Sequence, residues 1–167
     1  IAVGQPGNSI QTILPALTKV WGWDQEELQQ EFIADYDAFD ALKAGRIDAI
    51  VEWIGLGSGA YVANFEMGGL KLLPMKKENM AKLEEEYPFY VAGEIPDGSY
   101  KAQGAVPVPF AQDFLTVQAD LSNEIVYKLA EVMYKHLKNG NLAATHSAFK
   151  EAEFPSHIER ISLNQLH

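Results

Sequence analysis

The chain has 167 residues, 47% of them hydrophobic, enough to bury a core in one domain or in one domain plus part of another. Its net charge of −10, with no local Lys/Arg cluster and arginine only at positions 46 and 160, excludes nucleic acid as a partner and leaves few bidentate clamps for a carboxylate. The absence of cysteine excludes disulfides, thiolate nucleophiles and cysteine zinc sites.

The chain opens on Ile1-Ala2-Val3, an apolar run that reads as a buried strand, and then breaks into Gly4-Gln5-Pro6-Gly7-Asn8-Ser9. Apolar residues at Ile10, Ile13, Leu14, Leu17, Val20 and Trp21 follow at helical spacing, with Gly22 as the C-cap. This is strand, glycine loop, helix. Such a loop leaves backbone N–H groups at the positive end of the helix dipole, where they can hold a carboxylate or phosphate without a basic side chain. Its bland counterpart is an ordinary turn capped by Asn8 or Ser9. Pro15 kinks the helix if Ser9 is the N-cap and costs little if Thr12 is, and the pattern leaves both open. Because Ile1 falls inside a strand, further chain is expected to precede it. Neither a signal peptide nor a membrane-spanning run is present in these residues.

Residues 24–30 read as a polar connector or one helical turn, and residues 31–35 as a short strand. Asp37 is then expected to cap a helix with Phe39 and Leu42 turned inward and Gly45 at its end. Residues 46–53 form a second strand with a largely apolar body, suited to a parallel sheet covered on both faces. It meets Gly55-Leu56-Gly57-Ser58-Gly59, a second glycine-rich turn into a helix over residues 60–67. Two such turns at the carboxyl ends of strands mark where open α/β sheets bind ligands.

A strand is expected at residues 70–73 and a helix at residues 77–86, whose Glu84-Glu85-Glu86 run is a solvated face and not a metal site. Residues 87–96 are extended and aromatic, and Asp97-Gly98-Ser99-Tyr100 turns the chain. One or two strands follow between residues 105 and 118, with Phe114 to Val117 as the core of the pattern. Ser122 caps a long helix, with Leu121 and Val126 in staple positions. Ile125, Val126, Leu129, Val132, Met133, His136 and Leu137 form its inner stripe, and Asn139-Gly140 stops it. A last helix is expected over residues 142–152.

The alternation of strands and helices, together with Lys43-Ala44-Gly45-Arg46-Ile47-Asp48-Ala49, resembles the second lobe of a type II periplasmic binding protein. Three further stretches are similar to the TAXI family of TRAP-transporter solute-binding subunits. They are Gly4-Gln5-Pro6-Gly7-Asn8-Ser9; Tyr87-Pro88-Phe89-Tyr90 through Ile95-Pro96-Asp97-Gly98-Ser99-Tyr100; and Leu121 to Leu129 with His146-Ser147-Ala148. The chain departs from that pattern at Asn8 and Ser9, at Ala102-Gln103 and at Gly55-Leu56-Gly57.

The resemblance implies an α/β fold: a periplasmic-binding lobe with a mostly parallel sheet flanked by helices, plus C-terminal helices. Residues 1–104 would form the second lobe of a two-lobed solute receptor. Residues 105–167 would form a return strand and helices packing on a first lobe that these residues do not include. It further implies capture of a small anionic solute, such as glutamate, a dicarboxylate or a 2-oxoacid, outside the cytoplasm, and delivery to TRAP membrane permease subunits. Gly7, Asn8, Ser9 and Ile10 would hold a carboxylate. Trp53 and Gly55 would line the opposite wall, with Tyr36 and Asp37 adding a hydroxyl and a countercharge. From the residues alone, Trp53 reads more readily as a core residue than as a ligand platform, and Tyr36 and Asp37 more readily as a buried ring and a helix cap. Tyr100 is expected to pin its own turn.

No cofactor, metal or catalysis is expected, since no nucleophile elbow, triad or metal motif brackets Asp48, Glu52 or His146. Rival readings are a ligand-sensing regulator domain of the same fold or, last, a small-molecule enzyme. Linkers just before Ile1 and over residues 102–109 would act as a hinge. The exposed half-cleft would favour a homodimer of the chain.

Overall fold

A computed structural model of the chain describes residues 1–101, 104–111, 115–145 and 149, and divides it into two compact units, residues 1–111 and 112–167. In chain order the elements are α1 (Ile10–Trp21), a 3-10 turn (Gln25–Glu27), α2 (Asp35–Lys43), α3 (Gly59–Glu66), α4 (Lys77–Glu86), β1 (Tyr90–Ile95), β2 (Val106–Ala111), α5 (Asn123–Lys138) and α6 (Asn141–Thr145). The chain is a mixed α/β protein.

The first unit is built around Ala2. Its N–H donates to the Ala49 carbonyl at 2.9 Å and its carbonyl accepts from Val51 N–H at 3.0 Å, while Val3 N–H donates to Glu31 O at 3.1 Å. Both pairings are parallel and place residues 1–3 between residue 31 and residue 50. Alternate side chains leave this central segment on opposite faces. Val3 packs with Ile10, Ile13, Leu14, Leu17 and Val20 of α1 and with Met80 and Leu83 of α4, whereas Ala2 packs with Ala38 and Ala41 of α2 and with Ile47. Helices therefore cover both faces of a parallel arrangement, which is why residues 47–51 are apolar almost throughout.

The parallel sheet is reduced to single-residue bridges rather than full strands. The strand expected at residues 31–35 is cut short because α2 begins at Asp35, and the one at residues 46–53 because Glu52 Oε1 takes the Trp53 N–H at 3.0 Å. Residues 70–73 are not a strand. Leu70 and Leu72 pack on the cluster of Phe39, Tyr61, Phe65 and Tyr100, but the local backbone bond is Met75 N–H to Pro107 O at 2.8 Å.

The continuous ladder is the antiparallel β1–β2 pair, in register from Tyr90 opposite Ala111 to Ile95 opposite Val106. Pro107 and Pro109 cost it nothing. Pro107 O faces away from β1 to accept from Met75 N–H, so the missing N–H groups of Pro107 and Pro109 lie on the outer edge of β2, away from the ladder. On the far edge of β1 the Ala92 N–H, opposite Pro109, donates to Glu84 Oε1 at 2.6 Å. Glu84 and Glu86 thus have structural work, Glu86 pairing with Lys19 of α1.

In the second unit Ser122 caps α5 as expected, its Oγ accepting from Ile125 N–H at 3.4 Å, and Gly140 ends it in the left-handed region. Within this unit the expected inner stripe is not buried: no side chain of α5 is, and Ile125, Leu129 and Val132 are exposed. His136 is half-buried with its Nδ1 3.0 Å from the Asn141 amide, not in a core. Leu115 to Val117 are irregular rather than a strand. Phe114, His146 to Ala148, Ala102-Gln103 and most of the expected last helix lie outside the described residues.

Candidate functional site

Because residues 2, 31 and 50 run parallel, the chain leaves all three at the same edge. From that edge come the first glycine loop, the start of α2 with Tyr36 and Asp37, and Trp53 with the second glycine turn. The topology thus brings the expected ligand residues to one rim.

The first loop is more self-contained than its composition suggests. Asn8 N–H donates to Gln5 O at 2.9 Å, and Ile10 N–H to Asn8 Oδ1 at 3.0 Å, which also accepts from Ser9 Oγ at 3.2 Å. Gly7 N–H donates to Gln11 Oε1 at 3.4 Å, while Gln11 Nε2 donates to Gln5 O at 3.0 Å. Of the four amides expected to face a carboxylate, three have acceptors within the loop. Among the described residues the Ser9 N–H has none. The Ile10 side chain is fully buried, so only its backbone belongs to the rim.

Asn8, not Ser9 or Thr12, is the side chain that caps α1, since Ser9 is already helical and makes no cap bond. Pro15 therefore lies inside the helix and brings no N–H to the Gln11 carbonyl. Gln11 went unread in the sequence. Asn8-x-x-Gln11 is the signature of a capping box, here shifted by one residue so that the Gln side chain returns to Gly7 rather than to the cap itself.

At the start of α2 the backbone is extended at Ala34 and helical from Asp35, so Asp37 sits in the first turn and is not the cap. Its charge still favours the N-terminal end of the dipole. Tyr36 is 72% exposed, which corrects the buried-ring alternative. Trp53 is half-buried, its ring 5.5 Å from that of Tyr90 and packed against the α1 cluster, so part of it serves the core. Gly55 is exposed.

The second turn is held from a distance. Gly57 N–H donates to the Tyr100 hydroxyl at 3.4 Å, and the Tyr100 ring packs 4.9 Å from Phe65 in a cluster with Phe39 and Tyr61. The Tyr100 hydroxyl therefore pins the second glycine turn, whereas its own turn is closed by the backbone bond from Ser99 N–H to Pro96 O at 3.2 Å. Burial pushes its phenol pKa up, and the hydrogen bond from Gly57 partly opposes this. Near it an open cavity of about 450 Å³ is lined by Val62, Glu66, Asp97 and Lys101. Lys101 is already paired there with the Glu66 carboxylate at 3.4 Å and donates to its carbonyl at 3.1 Å.

Among the described residues the rim offers the open Ser9 N–H, the Tyr36 and Ser9 hydroxyls, the Asn8 carboxamide and the Asp37 carboxylate, groups that can hydrogen-bond a polar solute. Of the residues an enzyme would need, Asp48 is exposed, Glu52 is spent on Trp53 N–H and His146 is not described. Among the described residues no group of three His, Asp or Glu is placed to hold a metal ion, and no helix is long and apolar enough to cross a membrane. A family model described as the NMT1-like family matches residues 1–167.

Proposed function

The chain belongs to the NMT1-like family, a periplasmic-binding-protein-like family of solute-binding domains, and we propose that it is one lobe of a TAXI-type solute receptor serving a TRAP transporter. The receptor works outside the cytoplasm. It closes on a small anionic solute, such as glutamate, a dicarboxylate or a 2-oxoacid, and hands it to the membrane permease subunits. The observation that carries this reading is the shared rim at which two glycine turns and the start of α2 meet the ends of parallel segments.

On this reading a ligand carboxylate takes the open Ser9 N–H and displaces Gln11 Oε1 from Gly7 N–H and Asn8 Oδ1 from Ile10 N–H, the freed Asn8 carboxamide lying beside it. Tyr36 and Asp37 receive the ligand's polar end, and Trp53 and Gly55 form the facing wall. With no arginine at the rim among the described residues, affinity comes from oriented amides and from a second lobe that closes over the solute. Residues 1–104 form this lobe and residues 105–167 the return toward the other. Closure is a population shift: ligand held by both lobes favours the closed state.

Tryptophan fluorescence of the intact protein and of this chain, titrated with glutamate, 2-oxoglutarate and C4-dicarboxylates, tests it. A saturable change in the intact protein and at least about a hundredfold weaker response from these residues alone is expected, since half the contacts are lost. Tight stoichiometric binding by these 167 residues alone would overturn the two-lobe reading.

A further inference from the structure

We infer that Tyr100 is the positioning residue for the second glycine turn, tying its shape to the segment that leads out of β1. The turn has little to hold it by itself. Gly57 lies at φ 75°, Ser58 makes no cap bond to α3, and the turn's internal backbone bond is Ser58 N–H to Gly55 O at 3.2 Å. What reaches it from outside is a hydroxyl 43 positions away, on a side chain only 6% exposed.

The anchorage is mechanical as well as polar. The ring of Tyr100 stacks obliquely on Phe65 of α3, and the same cluster takes Leu56 from the turn itself and Ile95 from the end of β1. Leu56 packs on the cluster while the hydroxyl accepts Gly57 N–H, so the backbone that follows Gly55 has its direction set by Tyr100. A shift of residues 96–101 carries the hydroxyl with it. Tyr100 thereby couples movement of that segment to the wall of the cleft. This rests on the reading of Gly55 as part of the ligand wall.

The decisive variant is Tyr100→Phe, which keeps the ring in its cluster and removes only the acceptor. Gly57 amide exchange in this chain, read by NMR, is expected to speed about fivefold to tenfold while the thermal midpoint stays within a few degrees. In the intact protein, glutamate, 2-oxoglutarate and C4-dicarboxylate affinities are expected to weaken by a similar factor. Tyr61→Phe, which trims a hydroxyl from the same cluster, is expected to change neither. Unchanged Gly57 exchange in Tyr100→Phe would overturn the inference, and so would faster exchange with unaltered affinity. Should the unsubstituted protein bind none of these probes, the proposed ligand class fails, and Gly57 exchange by itself then decides the role of Tyr100.

Discussion

Gln11 grips Gly7 across the first turn of α1, its Oε1 accepting the Gly7 N–H at 3.4 Å while its Nε2 donates to Gln5 O at 3.0 Å. One side chain thus closes both ends of the first glycine loop. Gln11→Ala is expected to cost about 1 kcal/mol in a urea titration, the usual worth of a helix cap. It also frees the Gly7 amide, so Gly7 exchange is expected to rise in the same variant. An unchanged midpoint and unchanged exchange would show that the loop holds itself.

Gly4→Ala strikes the same loop from the other side. Gly4 sits at φ 67°, and a Cβ there would lie 2.5 Å from Asn8 Nδ2. A side chain strains the backbone and displaces the Asn8 carboxamide from the Ile10 N–H, so a loss of about 1–3 kcal/mol is expected. Gly7→Ala, at φ 88° with open space around it, isolates the backbone part. A smaller loss for Gly7→Ala than for Gly4→Ala in parallel denaturation curves would assign the remainder to Asn8.

In the β1–β2 ladder, Gly93 makes room for a ring. A Cβ on Gly93 would come 2.4 Å from Phe110 Cδ2, with the ring lying diagonally across the register. Gly93→Ala is expected to destabilise by about 1–3 kcal/mol through overpacking. Adding Phe110→Ala to Gly93→Ala is expected to recover part of that loss, because the ring atoms Cδ2 and Cε2 that clash are gone. Additive losses in the double-mutant cycle would contradict this.

Alkaline pH tests the aromatic clusters. Burial raises the phenol pKa of Tyr100 and of Tyr90, the latter also through Tyr87. A raised phenol pKa means the folded state keeps its protons where the unfolded chain loses them. This contribution is complete below the ordinary phenol value of about 10 and is lost as pH rises through the folded values. Urea midpoints are expected to fall above that value, and less steeply in Tyr100→Phe. An equal slope in the two proteins would show that Tyr100 titrates as if exposed.

Much of the architecture was legible because it rests on local chemistry. The helices from Ile10, Lys77 and Asn123 declare themselves by apolar spacing and by Gly22 or Ser122 at their ends, and the extended run to Ile95 by its aromatic residues. Strand length was not legible at residues 31–35, where α2 starts earlier than Asp37 suggests, nor at residues 70–73, whose apolar residues pack without a ladder. Both outcomes depend on neighbours remote in the chain. At the site, the glycine turns could be read from composition. Which amides they leave open could not, since that is decided by where Gln11, Asn8 and Tyr100 point. A capping-box reading of Asn8-x-x-Gln11 would have found the first of these contacts.

The position of Ala2 between residues 31 and 50 also sets an order of events as the chain is made. The central segment must wait for its partners, since the first flank is made only with residue 31 and the second only with residue 50. Until then Ile1, Ala2 and Val3 lack a complete pair of neighbours beside a helix whose inner face is bare. Closing those two long loops is the slow step expected for parallel pairing, and it delays assembly of the rim until the core is in place. That rim is therefore among the last parts of this unit to take shape, and a nascent chain stalled before residue 50 would carry the first glycine loop without the two flanking segments beside it.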